Sequence, residues 1–332
     1  MDPEVTEEAG LTSLDVRVPA ALDGQRVDRA LSMLSGMSRR SAAEVVAGGG
    51  VLVDGRPVRT RSTTLRQGQR LEAMVSQAPS DRPQADPSVG FSVVYADDDL
   101  VVVDKPAGLV VHHGAGHRGG TLVDGLLARF ADLAELAESG VGDPSRPGIV
   151  HRLDKGTSGL MVVARSAAGF EALSAQLRAH RAERRYLALV TGIVPADRGQ
   201  VDAPIDRSWR HRDRMTVRAG GSPARTGYLV QARYRSPVPA TLIEARLETG
   251  RTHQVRVHMS AIGHPVVGDQ RYGGARALPR PLVERLGSDR LFLHAWRLTV
   301  EHPDGRVLSW ESPLPADLED TLSLLELLEP QA

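Results

Sequence analysis

The chain of 332 residues contains no cysteine. That absence removes disulfides, thiolate metal sites and a cysteine nucleophile from consideration. Lysine is nearly missing as well: Lys105 and Lys155 are the two present, so the positive charge is almost all arginine. Aromatic residues reach only 4%. No run approaches the ~18 apolar residues of a membrane span. The opening MDPEVTEEAG is acidic and lacks the apolar core of a signal peptide. A soluble, cytoplasmic protein is therefore expected. Familiar catalytic motifs are also absent. There is no GxxxxGK[ST] phosphate loop and no G-x-S-x-G nucleophile elbow. Zinc deaminase chemistry is excluded because its P-C-x-x-C half needs cysteine. His112, His113 and His117, or His253 and His258, match no zincin spacing, so neither a metal nor another cofactor is expected.

What is present is a segregated charge. Basic and acidic residues balance at 41 each, yet residues 1–15 hold five acids and no base, and residues 311–332 hold six acids and no base. The middle of the chain, 16–310, therefore stands at +11, from 41 bases less the 30 remaining acids. Residues 16–71 carry ten arginines against four acids, and residues 207–218 carry five against one. Arginine's rigid fork suits phosphate, and such patches are the footprint of a nucleic-acid partner. Arginine-rich codon usage on a solvated face produces the same count, so charge alone leaves both readings open.

The pattern along the chain divides it into parts. An acidic tail is expected at 1–15. Residues 16–75 read as a small α/β domain: a helix from Asp28 to about Gly36, then Ser38 capping a second helix from Arg39 to Ala47. Val51-Leu52-Val53 and Arg56-Pro57-Val58, joined by Asp54-Gly55, predict a hairpin, and a last strand runs from Arg70 to Val75. Residues 76–90, with three prolines and no apolar period, read as a flexible linker. Strands dominate from Phe91 onward, at 91–96, 100–104, 159–164, 186–191, 227–234, 241–248 and 291–300. They are interrupted by helical patterns at 121–137 and after Ser166. Long strands with few helices predict an α+β class rather than regular βαβ repeats. The tail 316–332 reads as an acidic, leucine-rich capping helix.

Polar residues gather in four short stretches: 104–117, 149–159, 183–190 and 247–259. In IVHRLDKGTSG, Asp154 lies in a tight loop between apolar strands. It reads either as a loop cap for the amides of Gly156 and Thr157 or as a held, reactive carboxylate. Tyr186 opens an apolar strand, as a sheet residue with a wet hydroxyl or as a platform for a base. In LETGRTHQVRVHM the residues alternate in parity as along a strand, and an arginine there is either a surface charge or the partner of a buried carboxylate.

The motif HRLDKGTSG at 151–159 resembles the signature of the RNA pseudouridine synthase family, in the branch that includes the bacterial ribosomal large-subunit enzyme D. Independent segments agree: DKPAG at 104–108, GGTL at 119–122, RYLA at 185–188, TGRTHQVRVH at 249–258, HPVVGD at 264–269 and LHAW at 293–296. Together they cover roughly residues 91–310. Residues 16–75 resemble the RNA-binding domain first described in a ribosomal small-subunit protein. The sequence departs from the family pattern at His113, where proline is usual, and at Arg184, where many members have lysine.

The resemblance implies a mainly antiparallel mixed sheet bent around a central catalytic cleft at 91–315, with the small RNA-binding domain attached at its N-terminus. It implies Asp154 as the catalytic aspartate, Tyr186 as the tyrosine under the target uracil and Arg251 as the aspartate's partner. Arg152 would fill the space left by a flipped base. Arg29, Arg39, Arg40, Arg184, Arg210 and Arg212 are candidate RNA contacts. The implied partner is structured RNA, foremost large-subunit ribosomal RNA or its precursor particle, with the protein acting as a monomer. A transfer-RNA pseudouridine synthase and a non-catalytic ribosome assembly factor are the alternatives.

Overall fold

Two units divide the chain, residues 1–82 and residues 83–332. The computed structural model describes residues 4–8, 11–35, 37, 39–76, 83–114, 119–211, 213–275, 278–287 and 289–328. The first unit comprises β1 (Glu4–Glu8), β2 (Leu11–Arg17), α1 (Val27–Ser35), α2 (Arg39–Ala47), β3 (Val51–Val53), β4 (Arg56–Pro57) and β5 (Arg70–Ser76). Its sheet runs β1-β2-β5-β3-β4, with every pairing antiparallel. Asp54 and Gly55 both take positive φ, 51° and 73°, the geometry a two-residue hairpin turn requires. Val27, Ala30 and Leu31 of α1 and Ala42 and Val46 of α2 are buried together with Val51, Leu65 and Leu71.

The acidic segment 1–15 is not a free tail. β1 and most of β2 lie within it, and β2 pairs with β5 from Leu11↔Ser76 to Arg17↔Arg70. Leu14 and Val18 are buried in the core, while Asp15 binds Arg70 across the strands at 2.9 and 2.5 Å. The acidic count of the segment gave no sign of this strand, in which Asp15 is exposed and pairs with Arg70 of β5.

The second unit comprises β6 (Ser92–Ala96), β7 (Leu100–Lys105), α3 (Leu122–Arg129), α4 (Asp132–Glu138), β8 (Ser158–Ala164), α5 (Ala167–Arg178) and β9 (Glu183–Thr191). It continues through β10 (Arg198–Asp202), β11 (Ile205–Arg207), β12 (Met215–Val217), β13 (Arg225–Ser236), β14 (Ala240–Leu247) and α6 (Gln254–Ala261). Last come α7 (Arg280–Leu286), β15 (Leu293–Glu301), β16 (Val307–Glu311), α8 (Ala316–Ser323) and β17 (Glu326–Leu327). One ten-stranded sheet runs β10-β13-β14-β9-β15-β8-β7-β6, with β16 beside β15 and β17 beside β13. All its pairings are antiparallel except β8 with β15, which meet at Ser158↔His294 and Gly159↔Ala295. Register shifts in β6, β13 and β15 bend the strands. The architecture is α+β, a mixed and mainly antiparallel bent sheet.

Three expectations change here. Residues 83–90 are not linker: Asp124 accepts the amide of Gln84 on its carboxylate and that of Asp86 on its carbonyl, seating this stretch against α3. The single helix expected over 121–137 is two, because Phe130 leaves helical geometry at φ −132° and ψ 90°. The alternating stretch after Arg251 is helix α6. His253 adopts the left-handed region at φ 58°, and Gln254 through Met259 are all buried. A helix covered on every side has no apolar stripe to announce it, and Val255 and Val257 mimic a strand's period of two.

Candidate active site

Asp154 sits in the tight turn that feeds β8, where the amide of Thr157 donates to the Asp154 carbonyl at 3.1 Å. Neighbouring groups grip this loop. The buried Lys105 ammonium donates to the carbonyls of Pro106 and Leu109 at 2.8 and 2.9 Å and reaches that of Lys155 at 3.5 Å. From the other side, Arg290 donates to the Gly156 carbonyl at 3.0 Å, to Ser158 Oγ at 2.9 Å and to Asp317 of α8 at 2.6 Å. Gly156 is required: a Cβ there would lie 2.7 Å from the Asp289 carbonyl. The loop is thus held through backbone groups, leaving the Asp154 side chain for other work. It is not the loop cap that its position in sequence allows.

That carboxylate binds Arg256. Arg256 Nη1 donates to Asp154 Oδ2 at 2.8 Å, while Nε and Nη2 hold Asp269 in a two-point pair at 2.7 and 3.1 Å. Asp269 is fully buried and Arg256 nearly so. The expected partner, Arg251, is not in this pair. It precedes the left-handed turn at His253, and its Nε donates to the Pro223 carbonyl at 3.0 Å. Arg256, on the first turn of α6, is carried inward instead. His253 adds a second neighbour, its Nε2 3.8 Å from Asp154 Oδ1 and its Nδ1 2.8 Å from the Tyr272 hydroxyl. Sequence reasoning missed Arg256, Asp269 and His253, although all three lie in segments that carry the family resemblance.

Tyr186, on β9, is buried and lines the cleft with Asp154. Arg184, two residues earlier, points to the same side; it too is buried, and its Nε has no hydrogen-bond partner among the described residues. Arg152 is exposed at the rim and reaches His112 Nε2 at 3.1 Å. Two adjoining cavities of about 540 and 590 Å³ open on either side of Asp154, and both are lined by Arg152, His112 and His253. Arg184, Tyr186 and Arg251 line the first, and Arg256 and Arg271 the second. A larger cavity of about 730 Å³ lies near Lys105, Arg290 and Asp317 without including Asp154 among its walls. Arg29 is exposed on the small unit, and Arg210 is exposed beyond β11. The side chains of Arg39 and Arg40, and all of Arg212, lie outside the described residues.

The electrostatics favour an ionised Asp154. Burial works to raise its pKa, but His253, Arg256 and Arg152 outweigh it and hold the carboxyl below its ordinary range. Burial raises the Tyr186 phenol, opposed by Arg184 and aided by Asp154. Burial drives the His253 ring down, against the pull of Asp154. His112 falls to about 4 through burial and the charges of Arg152 and Arg146. Lys105 falls to about 7, chiefly through burial.

One aspartate held ionised and a tyrosine held protonated thus share a single arginine-lined cleft. A family model described as RNA pseudouridylate synthase matches residues 99–261, and an S4 domain model matches residues 25–71. The chain is 43% identical over 321 residues to the ribosomal large subunit pseudouridine synthase D of Xanthomonas campestris, covering 93% of this chain and 91% of that protein. It is 39% identical to the protein of the same name from Nitrosomonas europaea, covering 95% and 89%. The solved structure of human RNA pseudouridylate synthase domain containing 1 superposes with a TM-score of 0.56 at 26% identity, over 74% of this chain and 91% of that one. The chain belongs to the RNA pseudouridylate synthase family, enzymes that isomerise uridine in RNA, and it carries an S4 RNA-binding domain.

Proposed function

We propose that this enzyme converts specific uridines of large-subunit ribosomal RNA to pseudouridine, with Asp154 as its nucleophile. The observation that carries the reading is the Asp154 carboxylate, bound by Arg256 at 2.8 Å in a cleft shared with Tyr186. The names of the bacterial relatives supply the substrate class.

The reaction breaks the N1–C1′ bond, turns the uracil and joins C5 to C1′. The C5 proton is lost and N1 gains one, so the net change is an isomerisation. One nucleophilic carboxylate suffices for this, whereas glycoside hydrolysis uses two carboxyl groups with separated pKa values. Arg256 keeps Asp154 ionised and aimed, the role the family resemblance assigns to Arg251. Tyr186 stacks on the uracil with its hydroxyl protonated. Arg152, at the rim, fills the gap left by the extruded base, an extrusion that costs a few kcal/mol. Phosphate contacts from Arg184 and Arg251 in the cleft, from Arg29, Arg39 and Arg40 of the small unit, and from Arg210 and Arg212 offset that cost. The enzyme works as a monomer in the cytoplasm, on ribosomal RNA or its precursor particle.

The test uses ribosomal RNA carrying tritium at uracil C5, with release to water measured and then mapped by site. Release by the parent and none by Asp154→Asn supports the reading. Release from transfer RNA alone moves the substrate, and silence on both with RNA still bound leaves a ribosome assembly factor.

A further inference from the structure

Trp209 is the most exposed large apolar side chain among the described residues, at 73%. The two other tryptophans, Trp296 and Trp310, are partly buried. Trp209 stands on the loop between β11 and β12, in the 207–218 segment with its five arginines and one acid. The Arg210 guanidinium lies over the Trp209 ring, 4.8 Å from its centroid. An indole left in water is unfavourable by the ordinary measure of apolar surface. Its retention beside several cations calls for a ligand with both a π face and negative charge.

The hairpin beneath it is firmly seated. Ile205 is buried with Ala224 and Val257, and Met215 and Tyr272 pack against them. Val257 belongs to α6, the helix that also carries Arg256. The Met215 amide donates to the Tyr272 hydroxyl at 2.9 Å, and that hydroxyl is 2.8 Å from His253 beside Asp154. A cavity of about 300 Å³ opens between Ser208, Arg214 and Thr216 on one side and Arg271 and Tyr272 on the other. Within this region, Arg214 Nε is buried without a hydrogen-bond partner among the described residues.

We propose that the β11–β12 hairpin is a second RNA-binding site, in which an unpaired base outside the target uridine stacks on Trp209 while Arg210 and Arg214 take its flanking phosphates. The inference rests on the functional reading above and adds a contact remote from the reacting uracil. Charge decides the occupant: a nucleotide satisfies ring and arginines together, whereas an apolar peptide would leave the arginines unmatched. Base–aromatic stacking tolerates any base, so the site contributes affinity and placement more than sequence reading.

The experiment compares the full-length parent, Trp209→Ala and Trp209→Phe on a large-subunit ribosomal RNA transcript. Fluorescence anisotropy of labelled RNA gives binding, and C5 tritium release gives kcat and KM. The expected result is about a 10-fold loss of affinity and a matching rise in KM for Trp209→Ala. Trp209→Phe should retain binding within about 3-fold, because a phenyl ring still stacks. The kcat at saturating RNA and the dependence of log Kd on log salt should be unchanged, since the indole carries no charge. Parental affinity in Trp209→Ala overturns the proposal, as does equal loss in both variants or a fall in kcat without a change in binding. Binding is scored separately from turnover, so a parent that binds RNA without releasing tritium sinks the catalytic reading alone.

Discussion

Arg256 Nη1 lies 2.8 Å from Asp154 Oδ2, and the two residues are 102 positions apart in the chain. The same guanidinium holds the buried Asp269 by its other edge. Neither carboxylate has another ion-pairing arginine among the described residues. This arrangement makes the Asp154 loop and α6 one electrostatic unit.

Asp154→Asn should abolish tritium release while leaving RNA affinity within about 3-fold, because the amide keeps the shape and loses the nucleophile. Single-turnover assay on saturating RNA, with binding measured in parallel, decides it. Undiminished isomerisation would overturn the assignment.

Arg256→Gln leaves the Asp154 and Asp269 carboxylates without the cation they share. Removing one member of a buried pair costs about 3–5 kcal/mol, so the variant should unfold at markedly lower denaturant. Arg256→Lys keeps the charge but not the fork, and should fold with kcat reduced about 100-fold and KM little changed. Parental kcat in Arg256→Lys would remove Arg256 from the mechanism.

The acid limb of kcat/KM should lie below the ordinary carboxylate value near 4, because Asp154 is held down by its neighbours against burial. A depressed carboxylate also stabilises the fold above its unfolded pKa, and that stability disappears as pH falls through the folded one. In Arg256→Lys the limb should move toward higher pH. An acid limb above 5 in the parent would contradict this.

Lys105 supplies a second pH test in a more alkaline window. Burial lowers its pKa to about 7, with Asp154 and Asp104 opposing and Arg290 assisting. Between there and its unfolded value near 10.4, the unfolded chain binds a proton that the folded one does not. Stability from this group therefore rises with pH across that window, by up to about 1.4 kcal/mol per unit. Denaturant midpoints from pH 7 to 10 should show the rise in the parent and lose it in Lys105→Met. Equal slopes in the two proteins would remove the buried lysine as its source.

Removing residues 1–82 should raise the half-saturating RNA concentration far more than it lowers turnover, since Asp154, Tyr186 and Arg256 all lie in the other unit. Steady-state kinetics on the ribosomal transcript reads the split. A collapse of kcat at saturating RNA would give the small unit a part in catalysis.

Much of the fold is legible because its cues are local. Asp54-Gly55 marks a turn that needs two positive φ values, and both are found. Ser166 caps α5 by accepting the Gly169 amide, as its place before an apolar period predicts. The central strands fall within a few residues of their expected positions because the apolar runs that define them are buried whole, β8 most completely. Helix α6 was illegible for the converse reason, being buried on all sides with no face left polar. The strand at Leu11–Arg17 was hidden because its short run of apolar residues sits beside an acidic opening, and only its pairing with β5 makes it a strand.

The sequence by itself determined the family and, with it, the class of chemistry. A short signature around Asp154 is carried by adjacent positions and survives any uncertainty about packing. Which arginine meets that aspartate was decided only by tertiary structure. Arg251 and Arg256 are five residues apart, and the left-handed turn at His253 sends one to the Pro223 carbonyl and the other into the core. The exposure of Trp209 and the burial of Lys105 were settled in the same way. Residue type sets what a side chain can do, but distance and dielectric, which govern charge pairing and proton affinity, exist only once distant segments have packed.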